Sequence, residues 1–199
     1  PAIAENMIQL QKKVLETHAD LGIAYDGDGD RIGFVKEDGS LMSTEEFMII
    51  IIRNIINNVQ NKTFLYDVKC SKALEDEILK LGGTPLMYRT GASYTEAKVK
   101  EDNLPFGGEL SGHVFFRDKV ADIGSGIYAS LRMCEILSKT NAKVSELCQG
   151  INKYYSTPEI KYHSDDDKKF EVIANIKNYC EEQRFKIITM DGVRIGFDK

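Results

Sequence analysis

Residues 24–35 read AYDGDGDRIGFV, with Asp26, Asp28 and Asp30 alternating with glycine and closed by Arg31. Glycine lets the backbone curl so that the three carboxylates converge, which costs on the order of several kcal/mol of repulsion unless a cation sits among them. A hard divalent cation removes that cost, and an oxygen-only donor set with no nearby His or Cys favours Mg²⁺ or Ca²⁺ over zinc. The bland alternative is an exposed acidic turn. A sharper rival is an EF-hand loop, because the aspartates fall at its first, third and fifth positions and Glu37 at its twelfth. Its sixth position, which needs glycine, is Arg31, and the flanks LGIAY and IGFV read as strands where helices are required. Arg31 suits a phosphate held beside a metal, or else a plain salt bridge to one of the aspartates.

Two further runs carry polar groups at strand ends. GGELSGH, residues 107–113, is expected to expose Glu109, Ser111 and His113, and a carboxylate that accepts from two neighbouring hydroxyls is a common grip on sugars. YRTGAS, residues 88–93, places Arg89, Thr90 and Gly91 where a strand feeds a helix N-terminus, a geometry that receives anions. Either run also reads as a simple glycine-containing turn.

The elements that must position these runs follow from periodicity. Ile3, Met7, Leu10 and Val14 share one helical face, and the aspartate loop then lies between two strands, with Asp38-Gly39 marking a hairpin turn. Ser43 and Glu46 form a capping box before FMIIIIRNIINNV, which predicts a buried helix from about 44 to 59. TFLYDV, a helix capped by Ser71 and stopped at Gly82, and TPLMYR make a βαβ unit. A short helix follows at YTEAKVKED, then strands at PFGGE and VFF. Next comes an amphipathic helix with Ile127, Leu131, Cys134 and Leu137 in line, and a short helix at VSELCQGI. After a break at Pro158, a helix capped by Asp165 to Asp167 and a hairpin around Asp191-Gly192 begin a new unit. The expected divisions are 1–41, 42–156 and 157–199, an α/β chain with one complete domain flanked by two partial ones.

Composition sets the outer bounds. A 199-residue chain with 42% hydrophobic and 29% charged content supports a proper core, and a net charge of −5 argues against nucleic acid or an anionic membrane as the main partner. The longest apolar run, residues 47–52, falls far short of a membrane span. Four cysteines without CxxC spacing suggest buried, reduced thiols and a cytoplasmic location. Pro1 already stands in a helical pattern, which reads as a segment of a longer chain.

DGDGDR, then GGELSGH, STPEI and DGVRIGF, resembles the α-D-phosphohexomutase family, nearest to its bacterial phosphomannomutase/phosphoglucomutase branch, over essentially the whole chain. The resemblance implies three-layer mixed-sheet units corresponding to the end of the second domain, the third domain, and the start of the fourth. It implies Mg²⁺ on Asp26, Asp28 and Asp30, with Arg31 and His113 in the active cleft. It also implies Glu109 and Ser111 on adjacent sugar hydroxyls, and Arg89, Thr90 and Gly91 at the substrate. The reaction implied interconverts hexose 1-phosphate and hexose 6-phosphate, of mannose or glucose, through a phosphoserine and a bisphosphate intermediate. The family's serine loop, of the type TASHNP, and its C-terminal phosphate clamp are absent from this sequence, so this chain alone is expected to be inactive. Arg89 replaces a family lysine, Ala92 a histidine, and Gly124-Ser125 an Asp-Asp pair. Phosphoglucosamine mutase ranks below because Leu110 stands where that branch carries Gln. A self-contained divalent-metal or sugar-phosphate module is the reading from another class.

Overall fold

A computed structural model describes residues 3–120, 123–155, 157 and 159–197. Ser156 and Pro158 of the STPEI motif lie outside the described residues. The chain divides into two compact units, 1–154 and 155–199, so the second begins at Tyr155 rather than Thr157.

In the first unit a 3₁₀ turn (Ala4–Met7) leads into α1 (Ile8–Thr17), which packs on an antiparallel sheet of β1 (Leu21–Tyr25), β2 (Ile32–Lys36) and β3 (Leu41–Met42). The Asp38-Gly39 turn forms as expected, with Gly39 at φ +81°. Helix α2 (Thr44–Ile55) opens on the capping box: the Glu46 amide donates to Ser43 Oγ at 3.1 Å and the Ser43 amide to Glu46 Oε2 at 2.8 Å. It ends before Asn57-Asn58, poor helix formers, rather than at 59. Phe47 to Ile52 are all buried, each side chain favouring the fold by about 1.5–3 kcal/mol over exposure. Phe34 of β2 meets Phe47 with ring centroids 4.8 Å apart, so residues 1–41 and α2 share one core.

The second sheet has the order β5-β4-β6-β7-β8, built from β4 (Thr63–Asp67), β5 (Thr84–Tyr88), β6 (Phe106–Gly108), β7 (Val114–Phe116) and β8 (Ile123–Gly124). Strand β4 is parallel to β5 and β6, while β7 and β8 continue antiparallel. Alternation along β4 decides the layers. Phe64 and Tyr66 face the core made with α2, α3 (Lys72–Lys80) and α5 (Gly126–Ser138), whereas Leu65 joins Val99 of α4 (Ala92–Glu101) on the opposite face. The three-layer mixed α/β arrangement is therefore present in this unit. A short helix, α6 (Val144–Leu147), follows α5.

Helix α5 corrects one expectation. Its buried residues include Ala129, Met133 and Ile136, while Ile127 and Leu131 are exposed at 57% and 62%, as is Cys134. Both stripes run at i, i+4, i+7. The one that buries contains small Ala129, which allows close approach, and lies beside Arg132, which is clamped to Asp118 at 2.6 and 2.7 Å. Cys70 and Cys180 are buried and Cys148 partly so, all as free thiols.

In the second unit α7 (Lys169–Glu182) packs by Cys180, and by Tyr179 against Phe185, next to the antiparallel pair β9 (Lys186–Ile188) and β10 (Arg194–Gly196). No side chain of Asp165 to Asp167 caps α7. Asp165 and Asp166 instead pair with Lys168 and Lys169. Among the described residues no helix is long and apolar enough to cross a membrane.

Candidate functional site

The aspartate run occupies the connection between β1 and β2, and one ligand atom from each of Asp26, Asp28 and Asp30 lies within 4.8 Å of the others. The convergence read from the alternating glycines is thus real. Arg31 folds back on it, its amide donating to Asp26 Oδ1 at 3.1 Å and its Nε to Asp26 Oδ2 at 2.5 Å, with Asp30 at 3.9 Å. Partial burial pushes the Asp26 carboxyl up, but the Arg31 amide and guanidinium hold it far below the usual carboxylate range. The salt-bridge alternative for Arg31 is therefore the arrangement observed, although its side chain stays 41% exposed and open to a second anion.

Backbone contacts seat this loop. The Gly126 amide at the start of α5 donates to the Gly29 carbonyl at 3.0 Å, and the Ile32 amide to the Gly112 carbonyl at 3.3 Å. Arg31 and His113 form an isolated antiparallel bridge. The aspartate loop and the GGELSGH loop consequently abut, though Gly107 follows Asp30 by 77 positions in sequence.

His113 joins the two loops chemically. Its Nε2 lies 3.1 Å from Asp30 Oδ2, and its Nδ1 lies 2.9 Å from Ser111 Oγ and 3.1 Å from Glu109 Oε2. The hydrogen bond to Glu109 and the charge of Asp30 outweigh burial and raise its pKa, favouring the imidazolium that donates from both nitrogens.

Glu109 is not exposed, contrary to the expectation: it is 2% accessible. Gly112, at φ +100°, turns the loop back so that the Glu109 amide meets the His113 carbonyl at 2.9 Å, beneath the buried end of β6. Glu109 Oε1 accepts from the Gly91 amide and Thr95 Oγ1, both at 2.8 Å, and Oε2 accepts from Ser111 Oγ at 3.2 Å. Burial works against the charge, yet hydrogen bonds from His113, Thr95 and Gly91 more than offset it and lower the pKa.

The YRTGAS run reaches the same cluster in part. Gly91 holds Glu109, and the Thr90 hydroxyl donates to Asp67 Oδ2 at 3.2 Å, but the Arg89 guanidinium stacks 3.9 Å over the Tyr94 ring. A hollow of about 250 Å³ opens between the loops, lined by Asp30, Ala92, Ser93, Glu96, His113 and Gly124 among others. Ala92 and Gly124 thus line one hollow. Ser125 caps α5 through the Tyr128 amide at 3.3 Å, and a side chain at residue 124 would collide with Phe115, 2.6 Å from its ideal Cβ.

Sequence reasoning missed Asp67, Thr95 and Gly126. An acidic residue closing the apolar run TFLYD at the carboxyl end of a parallel strand was the available signal for Asp67, because ligands gather there. Thr95 carries no such mark, since its role depends on the turn of α4.

Residues 43–154 match the family described as phosphoglucomutase/phosphomannomutase, alpha/beta/alpha domain III. The chain is similar to a phosphomannomutase/phosphoglucomutase of Pseudomonas syringae pv. tomato, 35% identical over 199 residues that are all of this chain and 43% of that protein. It is similar also to a phosphoglucomutase of Neisseria gonorrhoeae, 31% identical across 99% of this chain and 43% of that one. A phosphoglucosamine mutase of Ruthia magnifica subsp. Calyptogena magnifica is 32% identical over 89% of this chain and 39% of its own length. Among solved structures, a phosphoglucomutase/phosphomannomutase family protein of Burkholderia thailandensis superposes with a TM-score of 0.89 at 33% identity, over 99% of this chain and 42% of that one. The chain spans about 43% of the length of the curated relatives named first. With over half of its residues matching one family and its fold shared with a solved member, the chain belongs to the phosphoglucomutase/phosphomannomutase family.

Proposed function

We propose that this chain forms the metal-binding and sugar-binding part of a hexose-phosphate mutase that interconverts hexose 1-phosphate and hexose 6-phosphate, with mannose and glucose as substrates. The observation that carries the reading is His113, which bridges Glu109 and Asp30 and so makes the aspartate loop and the GGELSGH loop a single site.

Three converging carboxylates, all oxygen donors, fit Mg²⁺, and Asp26, Asp28 and Asp30 would hold it. When bound, the ion offsets negative charge on the phosphoryl group in transit. Arg31, anchored on Asp26, adds a fixed positive charge beside that group. Glu109 Oε1 is committed to Gly91 and Thr95. Oε2, shared with Ser111 and His113, is the oxygen left to accept from one sugar hydroxyl, with the Ser111 hydroxyl beside it for the adjacent one. His113, charged and hydrogen-bonded at both nitrogens, keeps sugar and phosphate ends in register. Thr90 and Gly91 brace the site through Asp67 and Glu109, and Arg89, stacked on Tyr94, is the cation this loop would offer the substrate. The phosphoserine would come from outside this sequence, in a cytoplasmic phosphoprotein.

The test is turnover. The full-length protein is expected to convert glucose 1-phosphate and mannose 1-phosphate to the 6-phosphates, the present chain alone to convert neither, and Glu109→Ala to cut kcat/KM by roughly two to three powers of ten through a lost charged hydrogen bond and misplaced substrate. A full-length protein inert toward both sugars, or a Glu109→Ala variant with normal kinetics, would refute the assignment.

A further inference from the structure

Both polar loops are tied to a residue that neither motif contains. Asp67 closes β4 with its side chain fully buried. Its Oδ1 accepts from the Leu110 amide at 3.1 Å and from Cys70 Sγ at 3.1 Å, and its Oδ2 accepts from Thr90 Oγ1 at 3.2 Å. Leu110 stands between Glu109 and Ser111. Thr90 precedes Gly91, whose amide donates to Glu109. The neighbouring backbone repeats the link, the Val68 amide donating to the Tyr88 carbonyl at 2.9 Å. A buried carboxylate is an expensive way to fill space, and it persists where its acceptor capacity is used. Of these three donors among the described residues, two come from loops of the candidate site, and the third, Cys70, is a buried thiol whose pKa burial pushes well up, so it stays protonated and donating.

We propose that Asp67 is a positioning residue that pins the 88–92 and 109–113 loops to one strand end, so that Glu109, Ser111 and His113 meet the substrate as a rigid set. The inference rests on the sugar-binding reading above and adds a residue that touches neither sugar nor metal. Asp67 acts through Leu110 and Thr90. It fixes where the Glu109 carboxylate stands before any ligand arrives, which is the part of binding that rigid placement supplies.

The test uses the full-length protein with hexose 1-phosphate as the probe. Asp67→Ala is expected to lower kcat/KM by about 100-fold, mostly through a raised KM, because a loop displaced by an ångström forfeits its placement. Asp67→Asn keeps the shape and the acceptor for Leu110 and is expected to recover most of that loss. In a double-mutant cycle, Asp67→Ala with Glu109→Ala is expected to lose no more than Glu109→Ala alone, since both changes remove the same grip. Losses that multiply would overturn the proposal, as would an Asp67→Ala variant with unchanged kcat/KM. If Asp67→Ala does not fold, the same cycle with Asp67→Ser, whose short hydroxyl cannot reach both loops at once, decides, non-additive losses supporting the proposal and multiplying losses overturning it. Amide hydrogen exchange at Leu110 and Gly91 separates this inference from the reading beneath it. Exchange faster by about tenfold or more in Asp67→Ala, or in its substitute Asp67→Ser, but not in Asp67→Asn, supports the clamp even in a protein without mutase turnover. Unchanged exchange overturns it even in an active mutase.

Discussion

At the residue scale the site is governed by how few of its charges are left to water. Asp26 is neutralised by Arg31, Glu109 by four donors, and His113 faces a carboxylate at each nitrogen, which leaves the exposed Asp28 as the carboxylate best placed to meet an arriving cation. His113 gives this arrangement a pH signature. Its folded-state pKa is raised, so its contribution to stability is fully present below the ordinary histidine value of about 6.5 and is lost as pH rises through the higher, folded value. In metal-free buffer, denaturant midpoints of this chain are expected to fall over that interval, and the His113→Asn variant to lack that part of the fall. A variant with the same pH slope as the unaltered chain would mean that the imidazole is not held by Glu109 and Asp30.

At the scale of elements, the aspartate loop keeps its shape because the start of α5 lies against it. A Cβ on Gly126 would stand 2.8 Å from the Arg31 carbonyl oxygen and 2.9 Å from that of Gly29, backbone atoms that move only if the loop moves. Gly126→Ala is therefore expected to cost about 1–3 kcal/mol of stability by overpacking and to weaken divalent-cation binding by about tenfold or more. Gly27→Ala is the control, since nothing lies within 4 Å of its ideal Cβ, and its effect is expected to stay within about twofold. Calorimetric titration of both variants decides it, and equal affinities would contradict the seating of the loop on α5. Elements of this kind were largely legible beforehand. The Ser43-Glu46 box, the Asp38-Gly39 and Asp191-Gly192 turns and the βαβ grammar are local, so their residue types carry the instruction. Helix α5 was misjudged because two stripes satisfy the same period, and only packing against β2 and α2 chooses between them.

At the scale of the whole molecule, what escaped the sequence is what depends on distant partners. Asp67 reaches Leu110 across 43 residues, and His113 reaches Asp30 across 83. Glu109 was expected at the surface because a glycine-rich strand end reads as a turn, and only the return path set by Gly112 buries it. The convergence of the DGDGDR carboxylates, by contrast, was readable at once, because three carboxylates at alternating positions with glycine between them can curl together wherever the fold puts them. That the chain belongs to its family follows from the match over residues 43–154, and the site adds that two loops far apart in sequence stand against one another, which the proposed function reads as joint action. The most direct test of that joint action replaces Mg²⁺ by paramagnetic Mn²⁺ and follows the amide resonances of the ¹⁵N-labelled chain together with the phosphorus resonance of added glucose 6-phosphate. The expected result is broadening centred on Asp26 to Arg31 that extends to Gly112 and His113, and broadening of the sugar phosphate beyond what the same Mn²⁺ produces without the chain. Broadening spread over other exposed acidic residues such as Asp165 to Asp167, with residues 26–31 unaffected and the sugar phosphate broadened no more than by Mn²⁺ alone, would contradict a single metal and sugar site.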